Sequence, residues 1–214
     1  MKTLIKLSSF IVLLIAFVGC NDDDDQPQLE AVESKTATNV PAPQVGGQGQ
    51  QEEASGPFTK FSFATGAVTT SDTEWDLAFR GTTVAVNGGT VTGTNDEPTR
   101  NGNGGVSIET GTFASITSAD GLTFDQDADN TFAIPTGSDN GWYNYNFMTQ
   151  TVTPIPGKIF IIRTHDGKYA KVEFLSYYRD APANITPDIA NNDLRFYTFQ
   201  YIYNPNEGET SLAN

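Results

Sequence analysis

Beyond residue 57 the chain alternates large apolar residues with polar or small ones. Phe58-Thr59-Lys60-Phe61-Ser62-Phe63 stops at a Gly66 turn, and Trp75-Asp76-Leu77-Ala78-Phe79-Arg80 stops at Gly81. Thr82 to Asn87 is β-branched and ends at Gly88-Gly89. Alternate side chains of a strand project to opposite faces, so a period of two with glycine punctuation predicts strands. Ile159 to Arg163 runs into Asp166-Gly167, a pair suited to a type I′ turn, and Lys168 to Phe174 returns as the second arm of a hairpin. In that arm Lys171 and Glu173 are expected on a polar face, opposite Ala170, Val172 and Phe174. Arg195 to Tyr203 reads as a long aromatic strand. Ile185 to Leu194 is interrupted by Pro187 and is expected to form at most a turn or two of helix. Asn95 to Gly105 reads as a mobile excursion. The pattern predicts an all-β fold, a single antiparallel β-rich domain without internal repeats.

The first 19 residues break this pattern. Lys2 and Lys6 precede an apolar run from Phe10 to Val18, which Gly19 and Cys20 close. A bilayer core needs about 20 apolar residues, so the run reads as a signal peptide over 1–19 rather than a membrane span. A small residue directly before Cys matches a loose lipobox, with Cys20 as the lipidation site. Cys20 is the one cysteine of the chain, so an internal disulfide framework and thiolate zinc sites are excluded. Asn21 to Asp25 carries four carboxylates and resembles the tag with which Bacteroidetes-type bacteria send lipoprotein to the outer face of the outer membrane. Residues 20–55 as a whole, rich in Pro, Gly and Gln, read as a disordered tether. The folded domain is placed at 56–214.

Charge narrows the partners. The chain carries a formal net charge of -14, and removal of Lys2 and Lys6 with the signal takes it to -16. Nucleic acid and anionic lipid headgroups repel such a surface, so nucleic-acid binding is set aside.

Several blocks carry more than periodicity. Glu74-Trp75-Asp76-Leu77-Ala78-Phe79-Arg80-Gly81 with Thr82 to Gly89, then Gly141-Trp142-Tyr143-Asn144-Tyr145, Pro154-Ile155-Pro156-Gly157-Lys158 and Asp166-Gly167-Lys168-Tyr169 through Tyr178 resemble, in order, the HmuY family of Bacteroidetes lipoproteins. The resemblance spans about Phe58 to Tyr203. It implies an HmuY-type β domain and a haemophore-like role: capture of haem or a related porphyrin at the cell surface for delivery to a TonB-dependent receptor. Membrane attachment would run through the lipid on Cys20.

Haem iron takes His, Met, Tyr or Cys as axial ligands in an apolar slot. The single histidine, His165, adjoins the hairpin turn, where the family does not place its ligands. Met148 is the one methionine outside the signal, and it lies near the segment where the family carries a His or Met ligand, although Phe147 competes for that place. Met148 is therefore the expected metal ligand, with Tyr143 and Tyr145 as further haem contacts. Tyr177 and Tyr178 either supply a phenolate or pack. Nothing between Asn87 and Gly141 is His, Met, Tyr or Cys, so the family's upstream ligand is missing. Two readings stay open: a haem-binding surface lipoprotein, or an interaction module of the same fold that has lost haem.

Enzymatic chemistry is disfavoured. Asp125 to Asn130 spaces its acids like a calcium loop but lacks the required Gly and the closing Glu. A hydrolase triad would have to use His165, and no Gly-x-Ser-x-Gly elbow exists. No carboxylate pair stands out for a glycosidase.

Overall fold

The computed structural model describes residues 28–47 and 51–213; the expected signal peptide and Cys20 lie outside them. The described residues form eleven strands and one short helix. Strands β1 (Glu33–Pro41), β6 (Gly105–Thr110), β9 (Lys158–Arg163), β10 (Tyr169–Tyr178) and β11 (Leu194–Asn204) build a five-stranded antiparallel sheet in the order β1-β11-β10-β9-β6. Strands β2 (Thr59–Ser62), β3 (Ala67–Thr69), β4 (Leu77–Arg80) and β5 (Thr83–Val86) build a second sheet in the order β3-β2-β4-β5. A separate hairpin joins β7 (Tyr143–Asn146) to β8 (Thr151–Pro154). The helix α1 (Pro187–Asn192) is capped by Thr186, whose hydroxyl accepts from the Ile189 N–H, with Pro187 in the first turn.

The main core lies between the two large sheets. Phe61, Phe63, Leu77, Phe79, Val84 and Val86 from one meet Phe160, Ile162, Val172, Phe174, Tyr197, Phe199 and Tyr201 from the other. The rings pack edge-on or tilted: Phe61 against Phe199 at 5.2 Å, Phe79 against Tyr197 at 4.7 Å and Phe160 against Phe174 at 5.2 Å between centroids. These are the preferred geometries of ring quadrupoles.

The second face of the large sheet is covered too. Ile159, Ile161 and Ile202 are buried beneath Phe113, Ile116, Ala119 and Leu122 from the connection after β6 and beneath Leu212 near the C-terminus. Burial on both faces explains why β9 reads as the unbroken run Ile-Phe-Ile-Ile. It also corrects the expected polar face of β10, because Lys171 is only 1% exposed. Its ammonium donates to the carbonyls of Ile116 at 2.6 Å and Leu212 at 3.2 Å and lies over the Phe113 ring, while burial lowers its pKa.

Three other expectations change. The excursion after Asn95 is pinned: the Arg100 guanidinium, 1% exposed, bonds Glu97 at 2.7 Å and Asp127 at 2.8 Å. The Asn87 side chain binds the same loop, accepting from the N–H groups of Asn101 and Gly102. The hairpin turn is not type I′, since of Asp166 and Gly167 only the glycine has positive φ. Gly167 instead closes Thr164 to Gly167 with an N–H bond to the Thr164 carbonyl. Finally, the folded unit begins before residue 56. Residues 33–41 of the expected tether form β1, with Ala37 opposite Phe199, Val40 opposite Tyr197 and a bulge between them. Only Ala37 and Val40 of that strand are buried, so polarity concealed it.

Strand β1 covers the open edge of β11, which otherwise presents unpaired backbone groups. A chain beginning at Gly56 should therefore be less stable than one beginning at Gln28, by at least the ~1.5 kcal/mol of Val40 burial, and more prone to associate. Urea unfolding and light scattering of the two chains check this; equal stability would mean that β1 adds nothing to the domain.

Candidate functional site

At the end of the large sheet where β10 finishes and β11 starts, the β7–β8 hairpin stands over a cleft of about 550 Å³. Its walls come from Tyr143, Tyr145, Phe147 and Val152 of the hairpin, Tyr177 and Tyr178 of β10, Ala190 and Asn191 of α1, and Leu194 of β11. Thr82, Ser138 and Gln150 complete the lining, and no lining residue is charged. In a chain with net charge -14 that is a marked local departure. The volume falls within the roughly 300–1,000 Å³ of small-molecule sites.

The period of two decides which hairpin side chains reach the cleft. Tyr143, Tyr145 and Phe147 alternate and all line it; Met148 has the opposite parity and is not among the lining residues. Tyr143 is buried, Tyr145 is 43% exposed, and Phe147 and Met148 are 81% and 89% exposed. The tip is shaped by Asn146, whose side-chain oxygen accepts from the Met148 N–H at 2.9 Å and the Thr149 N–H at 3.2 Å. Below it, the Tyr145 N–H bonds the Ser138 hydroxyl and Lys158 donates to the carbonyls of Asn140 and Gly141, tying the hairpin base to the body. The sequence-expected trio is thus brought to one hairpin, with the tyrosines facing the cleft and the thioether at its exposed tip.

Tyr177 and Tyr178 owe their positions to irregular pairing. The register between β10 and β11 shifts between Phe174 and Ser176 and again between Ser176 and Tyr178. Two consecutive side chains thereby line one cleft, whereas those of a regular strand project to opposite faces. The Tyr178 hydroxyl accepts from the Val152 N–H at 2.8 Å and so clamps β10 to the hairpin. The Tyr177 hydroxyl, fully buried, has no hydrogen-bond partner. Burial pushes its phenol well above the ordinary tyrosine range, against the opposing pull of the nearby Arg195 guanidinium. Sequence reasoning missed Thr82, Val152, Leu194 and Arg195, which only the fold brings to this end.

His165 belongs elsewhere. It adjoins the Tyr169 end of β10, which a rise of about 3.3 Å per residue sets roughly 30 Å from Tyr178. Its Nδ1 pairs with Asp76 Oδ1 at 2.8 Å, and Asp76 also accepts the N–H groups of His165 and Phe63. The pair joins the β9–β10 turn to the segment entering β4. In the calcium-like stretch the central acid is engaged: Asp127 accepts from Arg100 and from the N–H groups of Val86 and Ala133. Among the described residues no group of three or more His, Cys, Asp or Glu side chains is placed to hold a metal ion.

Replacing Tyr177 by Phe removes a hydroxyl that bonds nothing, so unfolding free energy should stay within about 0.5 kcal/mol of wild type or rise; a loss of about 1–3 kcal/mol in urea would show a hidden bond. For His165, the hydrogen bond to Asp76, together with the charges of Asp76, Asp166 and Glu74, raises the pKa. Its stabilisation is then complete below the unfolded value of about 6.5 and fades as pH rises through the raised folded value. The stability gap between wild type and His165→Asn should accordingly be wider at acidic than at alkaline pH, and a gap that does not vary would refute the assignment.

The sequence profile of the HmuY protein family matches residues 56–190. Among solved structures, the apo HmuY analog of Tannerella forsythia is 13% identical, covering 84% of this chain and 100% of that one, with a TM-score of 0.50. A Bacteroides vulgatus protein provisionally described as HmuY-like and heme binding is 17% identical, covering 82% and 93%, with a TM-score of 0.46. A Bacteroides fragilis protein provisionally described as a lipoprotein is 17% identical, covering 81% and 91%, with a TM-score of 0.44. No curated protein matches significantly. With its profile match across most of the β domain, the chain belongs to the HmuY family.

Proposed function

We propose that this protein binds haem, or a related flat porphyrin, in the cleft beneath the β7–β8 hairpin, as a lipoprotein anchored through Cys20 at the outer-membrane surface that hands its ligand to an outer-membrane receptor. The observation that carries the reading is the uncharged, tyrosine-lined cleft, with Phe147 and Met148 exposed beside it. Two large apolar side chains held in water at one tip are a cost that a flat apolar ligand would remove. Aromatic walls suit the faces of a macrocycle, and family membership supports the same ligand. No helix among the described residues is long and apolar enough to cross a membrane. The role is one of binding rather than catalysis.

Met148 is proposed as the axial ligand, which requires the exposed hairpin tip to turn the thioether over the cleft that it does not line. A thioether is soft and suits haem iron, above all when reduced. Coordination from this chain would be one-sided, because the interval from Asn87 to Gly141 holds no His, Met, Tyr or Cys. That gap favours the second reading, an HmuY-type interaction module without haem that docks to another surface ligand or protein.

A haemin titration of the full-length protein, followed by visible spectroscopy before and after dithionite, separates the two. Haem binding predicts a saturable, shifted Soret band, with weaker affinity in Met148→Ala and the larger effect in the reduced state. Binding indifferent to the substitution would keep the function and discard this ligand. No saturable change in either state would leave the interaction module.

A further inference from the structure

The proposed ligand poses an electrostatic problem. Haem and its iron-free parent each carry two carboxylates, whereas the chain has net charge -14 and its cleft has no charged lining residue. Something must receive those carboxylates or they must remain in water.

Two buried polar groups, one in the cleft wall and one behind it, are left without a well-formed hydrogen bond. The Tyr177 hydroxyl and the Arg195 Nε are both buried without partners. Tyr177 lines the cleft, and Arg195 follows the lining residue Leu194. The guanidinium lies near enough to draw on the phenol, but no hydrogen bond of good geometry completes either atom. A buried hydroxyl with its proton unplaced, beside a cation, favours a ligand that only accepts. A carboxylate oxygen meets that need, since it accepts only and favours charge-assisted bonds.

The backbone supports a placed rather than incidental arrangement. Arg195 has φ of +71°, in the left-handed region that side chains other than glycine rarely adopt. Its Nη1 is fixed on the Gln44 carbonyl at 2.7 Å, and its own carbonyl accepts from the Ala42 N–H at 2.9 Å. The segment after β1 thus holds the guanidinium in place before any ligand arrives. The β10 bulge turns Tyr177 inward beside it. Strain at an observed backbone outlier, next to unpartnered buried donors, is the pattern of a preorganised binding group.

We infer that Tyr177, with the Arg195 guanidinium behind it, forms a carboxylate subsite in the wall of the cleft, which seats one acid group of the ligand on the Tyr177 hydroxyl beside that cation. This rests on the porphyrin reading of the same cleft. The subsite fixes which edge of the macrocycle enters first and offsets the repulsion of the acidic surface at that point.

The test compares iron-free protoporphyrin IX with its dimethyl ester, by fluorescence titration of the full-length protein, in wild type, Tyr177→Phe and Arg195→Gln. Without iron, Met148 contributes no coordination. The free acid should bind wild type about tenfold more tightly than the ester, the scale of one charge-assisted bond pair. Each substitution should abolish that preference, read as the ratio of acid to ester affinity within each variant. Tyr177→Phe breaks no existing bond, so it carries the test if Arg195→Gln, which also releases Gln44, fails to fold. Equal binding of acid and ester by wild type, or a preference that survives Tyr177→Phe, would overturn the subsite alone and mean that water satisfies these donors. Failure of both porphyrins to bind would overturn the subsite together with the reading on which it rests.

Discussion

Strand β11 is the element on which the rest depends, through the inward row Tyr197, Phe199 and Tyr201. Phe199 packs against Phe61, Phe79 and Phe174, joining three strands from two sheets at one ring. Tyr197 extends the cluster to Trp142, and its hydroxyl donates to the Gly81 carbonyl at the β4–β5 turn. Aromatic side chains bring large contact area with few torsions to freeze, which suits a core built of short strands. The same strand pairs with β10 on one side and β1 on the other, so sheet order and core packing are set together.

The cleft is a consequence of where this packing stops being regular. Along most of their length β10 and β11 pair residue for residue, with Lys171 opposite Ile202 and Phe174 opposite Phe199. Beyond Phe174 the register slips, Tyr177 and Tyr178 turn inward together, and Arg195 takes its left-handed conformation. The hairpin β7–β8 then closes over the gap and is clamped by Tyr178. Core and binding surface are therefore made from one continuous aromatic stack, in which Trp142 and Tyr143 pass from the interior to the cleft wall.

Loops that look unstructured are held by buried polar groups. Asn87, Arg100 and Asp127 satisfy one another's neighbours in a network that has almost no exposure. Burying such groups costs heavily unless every donor and acceptor is paired, and here the pairing is supplied by residues as far apart as Val86 and Ala133. Against this nearly complete satisfaction, the unpartnered hydroxyl of Tyr177 and Nε of Arg195 stand out at the cleft.

Much of the architecture was legible along the chain. The alternation in Phe58 to Phe63 and in Leu77 to Arg80, the β-branched run to Asn87, the Lys158–Tyr178 hairpin and the aromatic terminal strand all became strands, because side-chain period and turn residues are local properties. Pro187 marks where the six-residue helix starts for a similarly local reason. The Trp-Tyr-Asn-Tyr block marked the hairpin that carries the site. What the chain could not declare were features whose cause lies elsewhere in the fold. Polar β1 is a strand because β11 offers it an edge; Lys171 is buried because a connection and the C-terminus cover it; the loop at Arg100 is fixed by Asp127, far away in sequence. Which tyrosines face the cleft, and that Arg195 meets Tyr177 beneath it, follow from a register slip between two strands. Such a slip is settled by packing across the sheets and leaves no trace in the order of residues.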